Sequence, residues 1–301
     1  MARKFRKKAL VFATEQTYGV DAIAAAEPAT AVLGREVKIT PLAGENTELD
    51  YDDGNLGNSA EIATETYVSL EFGVDWAGAG AATTAPAYAP LLAACLRSTT
   101  VGASSVDIAI DEQGTKALTF YFYLDGALHA LVGARGSFKL EAKAKDFPKI
   151  MFTFTGLFVA VSAAAMPVTD FSAWKTPMKV GAANSSCSLD GNAIKLISFE
   201  YDQGNEVVHQ EYVGHEEVII TDYKPSGKLV LEADTLANFD PFAANTAVLP
   251  FNLTHGEATN QVIFATSQLQ LGRAEYGDQD GTLTYEIPVR PLGNLDLLTT
   301  K

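Results

Sequence analysis

The sequence predicts a mainly β chain made of two tandem β-sandwich or barrel units, each with one short flanking helix. Three observations lead there. Apolar and polar residues alternate with period two through most of the chain, as in strands with one buried face. Helical spacing is confined to two short stretches. The second half repeats the order of elements of the first, the mark of a duplicated unit.

Residues 68–76 put Val68, Leu70, Phe72, Val74 and Trp76 on one face and Ser69, Glu71, Gly73 and Asp75 on the other. A strand does this because successive side chains point to opposite sides. Residues 117–123 place Leu118, Phe120 and Phe122 against Tyr121 and Tyr123, and residues 138–142 and 150–154 alternate similarly. Leu124-Asp125-Gly126 supplies the Asp-Gly pair of a tight hairpin. A first helix is expected over 88–98, where Tyr88, Leu91, Leu92 and Cys95 form one stripe and Pro86 and Pro90 suit the entry. A second is expected over 236–244, on the spacing of Leu236, Phe239 and Ala243.

The repeat is read by overlaying the halves. Val37-Lys-Ile-Thr-Pro41 aligns with Ile194-Lys-Leu-Ile-Ser198, 157 positions on, and the same offset brings Leu56-Gly-Asn58 onto Val213-Gly-His215. Further along, 68–76 corresponds to 227–234, the first helix to the second, and Asp125-Gly126 to His255-Gly256. Phe138-Lys-Leu140 then corresponds to Leu269-Gln-Leu271, and Ile150–Phe154 to Leu283–Ile287. This divides the chain into a first unit over 1–165, a linker over 166–178 and a second unit over 179–301. The stretch 162–178 is rich in Ala, Pro and Ser, and Met166-Pro167 and Thr176-Pro177 favour extended backbone there.

With 22 basic and 37 acidic residues the net charge is −15, and the 47% hydrophobic content excludes intrinsic disorder. The acidic balance argues against tight binding to duplex DNA, which needs Lys and Arg on phosphates. It does not exclude a protein that must keep DNA moving past it. Arg3, Lys4, Arg6, Lys7 and Lys8 form a basic arm ahead of a more acidic body. The apolar run 9–13 that follows is shorter than the ~7–15 residues of a secretory core, and no run approaches the ~18 of a membrane helix. Folding in a cytoplasm is therefore expected, with Cys95 and Cys187 as separate reduced thiols.

No motif carries chemistry. Trp76-Ala-Gly78-Ala-Gly80 lacks the third glycine of a dinucleotide loop, since position 83 is Thr83. Asp278-Gln-Asp280-Gly281 lacks the remaining ligands of a calcium loop. His129, His209, His215 and His255 have no metal-ligand spacing. No catalytic, cofactor or metal residues are expected. One polar feature recurs: Glu45, Glu48, Asp50, Asp52 and Asp53 occupy the repeat position of Glu200, Asp202, Glu206, Glu211 and Glu216. Acidic loops kept in both units suit a surface that repels phosphates or docks on basic partner residues.

The residues resemble a known family. Thr17-Tyr-Gly-Val-Asp21, Val37-Lys-Ile-Thr-Pro-Leu42, Leu56-Gly-Asn-Ser59, Ala85-Pro-Ala-Tyr-Ala-Pro-Leu-Leu92, Asp146-Phe-Pro-Lys-Ile150 and Phe154-Thr-Gly-Leu157 look like the major tail, or tail tube, proteins of long-tailed non-contractile bacteriophages. The motifs cover about residues 10–160, with the second half joined to them by the repeat. The resemblance implies a structural, non-enzymatic virion protein whose rings stack into a tube for genome delivery. It implies tail-end, tape-measure and tail-terminator proteins as partners, DNA only as transient cargo, no membrane, and assembly in the bacterial host cytoplasm. Two tube units per chain point to a homotrimer with pseudo-sixfold symmetry, the alternative being a homohexamer. The basic arm and the acidic loops, Asp53 included, are the expected contacts between subunits or rings. The competing reading is a two-domain adhesin or carbohydrate-binding module with Tyr121 and Tyr123 as a sugar platform. A β-sandwich hydrolase finds no candidate constellation.

Overall fold

The computed structural model describes residues 3–52, 54, 56–236 and 238–301. The first half runs β1 (Lys8–Thr14), β2 (Thr30–Ala31), β3 (Arg35–Ala43), β4 (Asn46–Glu48), β5 (Glu61–Ala63), β6 (Tyr67–Asp75), α1 (Ala89–Ala93), β7 (Arg97–Val101), β8 (Val106–Ile110), β9 (Leu118–Leu124), β10 (Ala127–Lys143), β11 (Lys149–Phe158) and β12 (Ser162–Ala163). The second continues with β13 (Ser185–Leu189), β14 (Asn192–Ala193), β15 (Leu196–Asp202), β16 (Asn205–Tyr212), β17 (His215–Tyr223) and β18 (Ser226–Glu232). It ends with β19 (Val248–His255), β20 (Val262–Leu271), β21 (Glu275–Gln279), β22 (Thr282–Pro291) and β23 (Asp296–Thr300).

All pairings are antiparallel. In the first half the ladder reads β2-β1-β9-β10-β11-β6-β3. In the second it reads β14-β13-β19-β20-β22-β18-β15. Each strand of the first order has its counterpart at the same place in the second. A separate two-stranded hairpin is inserted in each half at the same point, β4–β5 ahead of β6 and β16–β17 ahead of β18. Both hairpins are rooted at a left-handed glycine, Gly44 (φ 115°) and Gly204 (φ 64°). A Cβ there would meet the closing strand's carbonyl, Glu65 O at 2.3 Å or Lys224 O at 2.4 Å, so only glycine fits.

Each ladder folds over on itself into a sandwich, because one long strand changes layer at an irregularity. In the first half β10 pairs β9 over residues 127–134 and β11 from Leu131 onward, and the register shifts of both pairings fall between Leu131 and Arg135. In the second the break at Gly272 divides the corresponding strand into β20 and β21. The facing sides interlock through aromatic rings: Phe72 and Phe154 from one layer meet Phe120 from the other at 6.0 and 4.8 Å between centroids. Phe199 meets Phe251 and Phe264 likewise at 5.2 and 4.9 Å.

The halves are joined strand to strand. β15 adds to the free side of β10, with Lys139 opposite Asp202 and Lys143 opposite Ser198, and β23 adds to β8. One hydrophobic cluster runs through both halves. At the seam lies Arg97, fully buried, which donates to the Gln203 side chain, the Tyr201 hydroxyl (2.7 Å), the Asp296 carbonyl (3.0 Å) and the Asp296 carboxylate. Burial, with Asp296 beside it, holds the Tyr201 hydroxyl well above its ordinary pKa, so it stays neutral.

The period-two reading holds strand by strand: Leu70, Phe72, Val74, Trp76, Leu118, Phe120 and Phe122 are buried, and Asp125 (φ 37°) with Gly126 (φ 94°) makes the tight β9–β10 turn. Both helices need correction. The stripe Tyr88, Leu91, Leu92 and Cys95 is buried as expected, but the helix spans only Ala89–Ala93, because Leu96 turns left-handed (φ 61°) and Arg97 is drawn into pairing with Ile110. The segment 236–244 forms successive turns among its described residues rather than a helix. Asp234 and Asp240 bond the nearby amides of Thr235, Phe242 and Ala243, which competes with helix continuation. Two repeat correspondences also shift. Ile39 faces Leu70 as Phe199 faces Leu229, so β3 and β15 correspond at an offset of 160. Phe138 faces Phe152 as Tyr276 faces Tyr285, so 138–140 corresponds to β21 rather than to 269–271. Gaps in the hairpins, invisible to an ungapped overlay, account for both.

Candidate channel face and assembly edges

One layer of the fold has two chemically different sides. One continuous layer crosses both halves in the order β3-β6-β11-β10-β15-β18-β22-β21. Its apolar side covers the core with Leu70, Phe152, Leu140, Phe199, Leu229 and Ile287. The opposite side is charged, because the alternate positions along the same strands are polar. Across that face lysine and carboxylate meet in ladders: Lys149 with Glu141 (3.0 Å), Lys139 with Asp202 (2.9 Å) and Lys228 with Glu286 (2.6 Å). Arg35 meets Asp75 at 2.8 Å on the same face. Each of these hydrogen bonds raises its base's pKa, so the charges are fixed across neutral pH. Glu71 and Glu200, and the bases Lys38, Lys143 and Arg290, remain exposed on the face without an ion pair among the described residues. Pairing neutralises Lys139, Lys149 and Lys228, which reduces the free positive charge that the face presents to a polyanion.

The predicted contact residues separate into three groups. Glu45, Glu48, Asp50 and Asp52 lie on or beside the exposed β4–β5 hairpin, and Glu206, Glu211 and Glu216 on β16–β17. Asp53 lies outside the described residues. Glu200 and Asp202 belong instead to β15 and so to the charged face. The basic arm lies against its own chain: the Lys4 amide and Lys7 Nζ bond Asp125 at 2.7 and 3.1 Å, and Lys8 Nζ bonds the Val37 carbonyl. Arg3 and Arg6 have no ion pair among the described residues, and none of the five touches an acidic hairpin there. Tyr121 is half-buried with its hydroxyl on Asp21 at 2.7 Å, which removes it from any open sugar platform. Sequence reading missed the lysines of the charged face, although the alternation Lys139-Leu-Glu141-Ala-Lys143 was its visible signal.

The two hairpins have different surroundings. β16–β17 is seated on the first half: Arg135 donates to the Val218 carbonyl at 2.7 Å, the Tyr18 hydroxyl accepts from the Val218 amide, and the Asn205 side chain spans the Cys95 and Gly136 carbonyls. His209 closes this seat, with Nδ1 3.1 Å from Glu65 and Nε2 3.1 Å from Glu216. Burial lowers its pKa, but the bonds to Glu216 and Glu65 outweigh this and the net shift is upward. Protonated His209 therefore stabilises the seat fully below the unfolded value near 6.5, and the contribution is lost as pH rises through the raised folded value. His209→Gln is expected to remove up to about 1 kcal/mol below pH 6 and nearly nothing above pH 8. Denaturant midpoints of the two proteins against pH test this, and parallel curves would refute it.

Among the described residues β4–β5 has no such seat in its own chain. At the ends of the charged layer, β3 pairs only with β6 and β21 only with β22 among the described residues. Unpaired edges of this length are ordinarily covered or used. A layered β protein with a charged face, an apolar core and two open edges has the build of a structural protein whose edges can take further strands.

The family model described as phage tail tube protein matches residues 6–291, and the chain belongs to that family. No curated protein matches the chain. The protein is a structural component of the virion tail that assembles into an oligomeric tube with other tail proteins.

Proposed function

We propose that three copies form one ring of the tail tube of a long-tailed, non-contractile bacteriophage, with the charged layer lining the channel. The observation that carries this is the recurrence of one strand order in both halves, which makes each chain two tube units, 1–165 and 179–301, joined by 166–178. Three chains then present six units with pseudo-sixfold symmetry, where a homohexamer of single units has a true sixfold axis. The layer β3-β6-β11-β10-β15-β18-β22-β21 supplies eight strands per copy, so three copies line the channel with twenty-four. The ion pairs that neutralise Lys139, Lys149 and Lys228 weaken the hold of this face on phosphates, so that the genome passes without adhering.

Rings stack into a tube, assembled in the bacterial cytoplasm and bounded by tape-measure, tail-end and terminator proteins. The basic arm and the acidic hairpins are the contacts between neighbouring subunits or rings. Electron microscopy of the concentrated protein is expected to give rings or hollow tubes whose averages repeat every 120°, with a weaker 60° repeat. A true sixfold ring of whole chains would overturn the trimer, and a protein that stays monomeric at high concentration would overturn the tube.

A further inference from the structure

The joint between the halves of one chain has a donor side and an acceptor side. The donor is an edge strand, β15, followed by its hairpin, β16–β17. The acceptor is the open side of β10 and the surface beside Arg135 that seats the hairpin. The molecule carries a second set of both parts, unused. The spare donor is β3 with the β4–β5 hairpin. The spare acceptor is β21, together with a cavity of about 600 Å3 lined by Thr246, Gln270, Gly272, Arg273, Pro288 and Arg290 among others.

The acceptor surfaces correspond residue by residue. Arg135 stands opposite Thr155, and Gly272, next to Arg273, bonds the Pro288 carbonyl at the matching position of β22. Phe138 of β10 is 1% exposed, beside Tyr201 of the added strand at 5.9 Å. Its counterpart Tyr276 is 62% exposed, since no strand among the described residues lies beyond β21. The charges match as well. The spare hairpin region 44–66 holds seven acidic residues and no basic one. Arg273 and Arg290 are exposed and form no ion pair among the described residues.

We propose that the head-to-tail joint between copies repeats the joint inside each copy: β3 of one copy pairs antiparallel with β21 of the next, and the acidic β4–β5 hairpin is seated over Arg273 and Arg290. The proposal rests on the tail-tube reading and assigns its subunit interface. The register follows from the internal joint. Glu200 faces Glu141, and the offsets above carry this pair to Thr40 with Gln279, ahead of the irregularity between Thr40 and Ala43. Pro41 donates no hydrogen bond in this ladder, so the seated hairpin carries a larger share of the contact than its counterpart does.

Two variants test the joint in the full-length chain. Thr40→Cys with Gln279→Cys, oxidised after assembly, is expected to give covalent dimers and then trimers on denaturing gels. Tubes that form normally yet give no cross-link would overturn the joint while leaving the tail-tube reading intact. Arg273→Glu with Arg290→Glu is expected to keep the wild-type circular dichroism and melting point but to lose rings and tubes at least tenfold. Normal tubes from this variant would overturn the proposal. Failure of the wild-type protein to assemble would instead overturn the tail-tube reading beneath it.

Discussion

Arg97→Met is expected to destabilise the chain by about 3–5 kcal/mol, the usual cost of removing one partner from a buried ion pair. The guanidinium and the Asp296 carboxylate are both essentially inaccessible to water. The substitution leaves a buried carboxylate with only the Tyr201 hydroxyl as partner, beside a Gln203 oxygen that has lost its charged donor. Arg97→Met combined with Asp296→Leu is expected to recover most of the loss, since an apolar pair avoids the stranded charge. Denaturant unfolding of both variants measures this. A single variant within about 1 kcal/mol of wild type would show that the pair contributes little.

Phe264→Ala is expected to cost about 3–5 kcal/mol and to do so for the whole chain at once. Phe264 is fully buried, with Phe199 and Tyr201 each 4.9 Å away between ring centroids. It belongs to the second half, but the β10–β15 and β8–β23 pairings carry the core across the seam. The chain's two tryptophans are Trp76 and Trp174. In a Trp174→Phe background the fluorescence of buried Trp76 reports the first half alone. Its midpoint is expected to fall together with the circular dichroism midpoint of the whole protein. A Trp76 transition left unchanged by Phe264→Ala would mean that the halves unfold separately.

The strands were legible because their buried face is strictly alternating. Leu70, Phe72, Val74 and Trp76 could take no other register without exposing all four. Local signals served less well where tertiary pairing outranked them. Arg97 ends the first helix because Ile110 offers it a ladder, and Asp240 breaks the second by bonding the amides that a helix would use. The buried Arg97 and Asp296, 199 positions apart, leave no trace in a sequence window, and two charges in the core run against composition rules. The acidic hairpins were found as charge runs. Glu200 and Asp202 looked like part of the second run but fall on a strand whose face is shared with Lys139 and Lys228. Face, not proximity in the chain, decides which charges act together.

The seam between β10 and β15 also bears on how fast a ring can form. Each association of free bodies costs about 4–15 kcal/mol in lost translational and rotational freedom. Joining six free units into a ring takes five such events, whereas the trimer proposed above takes two. The remaining joints are then held ready by covalent tethering, at an effective concentration of order millimolar. Assembly by that route has a lower critical concentration and fewer incomplete rings in which to stall. Because the halves are tethered, each is also free to diverge, as the first half does in carrying β7 and β8, which take part in the seam through Arg97 and the β8–β23 pairing.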